Sequence, residues 1–116
     1  MASPLDEALQ LLRQWSSTGA SVRFSYVGRG LRQEFSAGRI EDVTGGVFIY
    51  KSPSVTAHHD TGVNSSAAIL SLPSENVPEE LQGLVSANDE CAVVFAGGVC
   101  GDTLVLIKER PPYFEE

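Results

Sequence analysis

"LRQEFSAGRIEDV", residues 31–43, is long for a strand and its pattern slips in the middle, and the reading of that slip decides the fold. Phe35 and Ala37 alternate onto one face of an extended chain, while Ile40 falls on the other. Gly38 lies at the slip. A glycine inside a strand pattern marks a bulge or a sharp bend, and beyond such a bend Ile40 returns to the inner face. Upstream, "SVRFSYV" (21–27) alternates Val22, Phe24 and Tyr26 with Arg23 and Ser25, the pattern of a half-buried strand. "GRG" (28–30) turns the chain between the two. Downstream, "DVTGG" (42–46) is a turn and "VFIYK" (47–51) a third strand. Connections this short make the three strands antiparallel neighbours.

A helix precedes this meander. Ser3 suits the N-cap, Pro4 the first helical position, and Asp6 and Glu7 the first turn, where the dipole favours anions. Leu5, Ala8, Leu9, Leu12 and Trp15 recur at helical spacing as one apolar stripe. "SSTG" (16–19) ends the helix at Gly19. After the meander, residues 52–65 read as a long polar loop, of a length that is either functional or flexible. "AAILSL" (67–72) is a strand and "SENVPEELQGLV" (74–85) a short helical turn. "ECAVVFA" (90–96) and "TLVLIKE" (103–109) are strands joined by "GGVCGD", and their continuously apolar cores predict cover on both faces. The prolines of "RPPYFEE" (110–116) keep the tail out of a central strand. The expected fold class is mainly β (α+β) in a single domain, 1–116. An N-terminal helix is followed by a small antiparallel β-barrel or a strongly bent sheet of about five to six strands.

"SVRFSYV", "QEFSAGRIEDV" and "GGVFIYK" together resemble, in layout, the small SH3-like barrels of the Sm-like class, over residues 21–51. The resemblance implies that the bend at Gly38 lets one long strand serve both halves of a small barrel. RNA-binding members of that class carry an aspartate and an asparagine in one loop and an Arg-Gly pair near the last strands. Here "GGVCGD" has no arginine and residues 52–65 have no clear Asp-x-Asn pattern. The RNA function is therefore not carried over.

The net charge of −7 opposes non-specific binding to nucleic acid or anionic membrane. No apolar run approaches the roughly 20 residues of a membrane span. "MASPLDEALQ" lacks a basic segment followed by an apolar core, so a cytoplasmic location is expected. "NSS" at Asn64 fits a glycosylation acceptor but carries no weight without a secretory route. The charge is uneven: residues 23–51 carry a net +2, which leaves −9 for the rest. Arg29, Arg32 and Arg39 are the candidate contacts for an anion or an acidic partner. The bland alternative is that they are solvated or pair with Glu34 and Glu41.

"SVTAHHDTGV" (54–63) holds both histidines. Adjacent histidines on an extended chain point to opposite sides, so His58 and His59 cannot converge on one ion, and no third and fourth ligand is in reach of the motif. His58, His59 and Asp60 are expected to be exposed loop residues without metal or catalytic role. Cys91 and Cys100 flank an apolar run and read as buried thiols packing as small hydrophobes. The adjacent acidic pairs Glu79-Glu80 and Glu115-Glu116 are solubility charges, since catalytic carboxylates must face each other across a cleft. No nucleophile elbow, phosphate loop or dinucleotide fingerprint is present. The sequence thus points away from an enzyme, and no cofactor is expected. The expected function is a β-domain that binds or assembles, as a homo-oligomer or with a protein partner, through a sheet edge. The alternative is a small-ligand-binding or regulatory domain using the loop at 52–65.

Overall fold

The computed structural model describes residues 3–28, 30–61, 66–71, 89–97 and 103–109. Arg29, Asn64, Cys100, the turn expected over 74–85 and the tail at 110–116 lie outside the described residues. One helix, α1 (Pro4–Thr18), precedes strands β1 (Val22–Gly28), β2 (Leu31–Thr44), β3 (Val47–Lys51), β4 (Thr56–Asp60), β5 (Ser66–Ser71), β6 (Asp89–Ala96) and β7 (Thr103–Glu109). Among the described residues these seven strands form one antiparallel sheet in the order β4-β3-β2-β1-β7-β6-β5. It is open, not closed into a barrel. Two meanders, β1 to β4 and β5 to β7, are thus joined along β1 and β7, where Val22 faces Lys108 and Val27 faces Thr103.

The helix begins as its sequence dictates. Ser3 Oγ accepts from the Asp6 N–H at 3.1 Å, and the Asp6 carboxylate accepts from the Ser3 N–H. This reciprocal capping satisfies donors that the first turn leaves open. Gly19 takes the left-handed conformation and closes the helix. Ala8, Leu9, Leu12 and Trp15 are buried, and Leu5 is partly buried against the same core. The helix packs on β2 and β5, so its stripe covers the inner face of the sheet.

β2 carries the bend. Val22 and Phe24 of β1 face Gly38 and Phe35, so one extra residue sits on β2 between those pairs. A second irregularity follows, because Ile40 and Asp42 face Tyr50 and Ile49. Each bulge adds local twist and bends the strand. Gly38 lies between them, and Ile40 returns to the inner face, 1% exposed. The first half of β2 pairs with β1 and the second with β3. The bend carries β3 over β6, where the Phe48 and Phe95 rings meet with centroids 6.0 Å apart. The hairpin turn into β3 uses Gly45 and Gly46, both at positive φ, as a two-residue type I′ connection demands.

Why Gly38 is glycine is a packing matter. A Cβ there would collide with the Tyr50 phenol, with Cε1 only 2.7 Å away and Cζ and the hydroxyl oxygen closer still. Tyr50 is fully buried, and its hydroxyl donates to the Val22 carbonyl at 2.8 Å. Burial pushes the phenol up to about 12. A hydrogen bond from the Gly38 backbone acts the other way, and Glu109 adds a small upward push.

Two expectations need correction. Residues 52–65 are not a loop throughout, because Thr56–Asp60 form β4 against β3. The segment alternates: Val55, Ala57, His59 and Thr61 turn inward while Thr56, His58 and Asp60 are exposed. Its inward residues are small or polar, so its composition hides a period of two that backbone pairing enforces. The loop proper is residues 52–55, closed by Ser52 N–H donating to the Val55 carbonyl at 2.8 Å. Thr61 then ties the end of β4 to the β2–β3 turn, its N–H and Oγ1 both donating to the Gly46 carbonyl. With β4 the strands number seven among the described residues alone, against the five to six expected.

β6 and β7 are buried on both faces, as their apolar runs predict. Val93, Phe95, Leu104 and Leu106 join the main core, while Ala92, Val105 and Ile107 form a second cluster with Leu70 and Val94. At the end of that ladder Arg23 of β1 pairs with the Asp89 carboxylate, which is 1% exposed, and lies 3.7 Å from Glu109. The pair places the buried carboxylate directly against a guanidinium, and removing either partner would leave a buried charge uncompensated.

Candidate functional site

The sheet has two edges among the described residues, and they differ in chemistry. β4 is polar on its outer side and carries His58 and Asp60. β5, "SAAILS", carries no ionisable residue along its whole length. Native edge strands are usually guarded by charge, proline or a bulge. β5 pairs with β6 in unbroken register from Ser66↔Ala96 to Ser71↔Cys91. Ile69 on this strand is 39% exposed, one of three large hydrophobics among the described residues that reach solvent, with Val27 and Val47.

The histidines separate as the extended chain requires. His58 is exposed and His59 half-buried. The expectation that His58, His59 and Asp60 are exposed loop residues is corrected: all three lie on strand β4, and while His58 and Asp60 are exposed, His59 packs its ring against Phe48 at 5.5 Å and Phe95 at 6.0 Å. Among the described residues no group of three His, Cys, Asp or Glu side chains is placed to hold a metal ion.

The three arginines named from the sequence do not form one patch. Arg32 sits near the start of β2, opposite Val27, and donates through Nε to Glu34 at 2.8 Å. Arg39 lies beyond the first bulge and donates through Nε to Glu41 at 3.0 Å. Seven strand positions separate them, about 23 Å of extended chain.

What Arg39 does meet is Lys51, its direct partner across the β2–β3 ladder. Two like charges in that relation repel. Both border a cleft of about 400 Å³ between the end of α1 and the β3–β4 loop, with Ser21, Gly38, Ser52 and Pro53 in its wall. Ser52 is buried, its Oγ within 3.4 Å of Ser54 Oγ. The Lys51 ammonium has no partner among the described residues. Sequence reasoning missed Lys51 because counting back from the Gly45-Gly46 turn pairs position 51 with 40. Only the bulge at Glu41 moves Arg39 into that place.

Cys91 is a free, half-buried thiol. Burial pushes its pKa up, Glu90 pushes it further, and Lys108 pulls it back. A raised pKa keeps the thiolate, the nucleophilic form, scarce near neutral pH.

No helix among the described residues is long and apolar enough to cross a membrane. No protein-family model, curated protein or solved structure matches this chain.

Proposed function

We propose that this protein is a non-enzymatic assembly module, and that two copies pair antiparallel through β5. The carrying observation is the uncharged β5 edge in a chain of net charge −7. Over the acidic part of the chain outside residues 23–51 like charge opposes the approach of a second copy. Along β5 no carboxylate stands in the way, and each exposed backbone donor and acceptor can meet its counterpart across a two-fold axis. Ile69, at the rim of the inner face, gains apolar cover in such a pair. The bent β2 also supports a kinship of layout with the SH3-like and Sm-like barrels.

Light scattering coupled to size-exclusion chromatography tests the reading. A concentration-dependent dimer is expected, reduced to monomer by Ile69→Lys, which places a charge on the edge. Val27→Lys, on an exposed position of interior strand β1, leaves the dimer intact. A strict monomer at high concentration and low salt overturns the proposal.

A further inference from the structure

We propose that the cleft between the end of α1 and the β3–β4 loop binds a phosphate group of a small molecule, held by Arg39 and Lys51. This inference is independent of the β5 edge. Three observations carry it. First, the register of β2 and β3 sets two cations directly opposite each other, an arrangement that disfavours the empty sheet and that a shared anion relieves. Second, the donors are available. Glu41 engages Arg39 only through Nε, so the terminal N–H groups of the guanidinium remain to form a fork, and Lys51 has no partner among the described residues. A planar fork beside a point charge suits a tetrahedral oxyanion. Third, the cleft has room, about 400 Å³, and a wall of small residues, Gly19, Ala20, Ser21, Ser52 and Pro53, that lets an anion approach.

The charge of the ligand follows from its surroundings. Glu41 already neutralises part of Arg39, and Glu109 lies behind Ser21, whose Oγ donates to it at 2.8 Å. A singly charged carboxylate gains little there. A phosphate monoester carries nearly two charges at neutral pH and answers both cations at once. A long polyanion is disfavoured, because the chain as a whole carries −7.

The test is a titration of the full chain, uniformly labelled with nitrogen-15, with inorganic phosphate at pH 7.5. Acetate and chloride at matched ionic strength serve as controls. Saturable amide shifts at Ser21, Arg39, Lys51 and Ser52 are expected with phosphate and absent with acetate. Arg39→Gln and Lys51→Gln each weaken binding about tenfold, the effect of losing one charged hydrogen bond, and the double variant abolishes it. Both positions are exposed, so an unchanged spectrum away from the cleft reports that the variants fold. Arg32→Gln, at the other end of β2, leaves the titration as it was. Shifts that rise linearly, that appear equally with acetate or chloride, or that survive in the double variant overturn the proposal.

Discussion

The Tyr50 ring occupies the volume that a side chain at position 38 would fill. Glycine there is a packing requirement imposed by a residue twelve positions away in the chain, and it operates within ordinary extended backbone. Gly38→Ala is expected to destabilise the fold by about 1–3 kcal/mol or more, the usual range for overpacking a filled core. Urea unfolding measures this directly. In a Tyr50→Leu background the same alanine should cost clearly less, and an equal cost in both backgrounds would show that the two positions are not coupled.

Tyr50 also sets an alkaline limit. The phenol stays protonated in the folded chain up to about pH 12, against the ordinary value of 10.0. Its contribution is complete below pH 10. Above pH 10 the unfolded chain releases the proton first, so stability falls toward pH 12 by up to about 1.4 kcal/mol per pH unit. Urea midpoints for the wild type and Tyr50→Phe should converge as pH rises from 9 to 11. Curves that stay parallel would remove Tyr50 from the alkaline transition.

Trp15 is 2% exposed and closes the stripe of α1. Trp15→Ala is expected to cost about 3–5 kcal/mol, as for other large-to-small core changes. A loss below about 1 kcal/mol in chemical denaturation would mean that the helix contributes little to the core.

The adjacent histidines should separate in the same assay. His58→Ala is expected to fall within about 0.5 kcal/mol of wild type, as an exposed position. His59→Ala, which removes a ring packed on Phe48 and Phe95, should cost about 1–2 kcal/mol, between a surface change and a core aromatic truncation. Equal effects would contradict their placement on opposite faces of β4.

Much of the fold was legible because its signals are local. The Ser3 cap, the Leu9–Leu12–Trp15 stripe and the alternation of Val22 and Phe24 each need only a few neighbouring residues to be read. Gly38 was legible as an irregularity, but its cause was not, because Tyr50 reaches it through tertiary packing. β4 was missed for a related reason. Val55, Ala57, His59 and Thr61 turn inward with little hydrophobic contrast against Thr56, His58 and Asp60, so pairing with β3 decides the strand. The cleft at Arg39 and Lys51 depends on a single extra residue at Glu41, and bulges leave almost no mark in composition.

The joining of two meanders along β1 and β7 has a kinetic consequence. From β1 to β4, and between β6 and β7, neighbouring strands pair over short stretches of chain, and such local contacts form quickly. The β1–β7 ladder instead brings the first strand to the last, and a large loop must close before it forms. The rate of folding should therefore be governed by that encounter. Substitutions in the hairpins, such as at Gly45 or Gly46, would act on it through the chain's early local order. Those facing the β1–β7 ladder, such as Leu106 opposite Phe24, would report whether the barrier is crossed before or after the two halves meet.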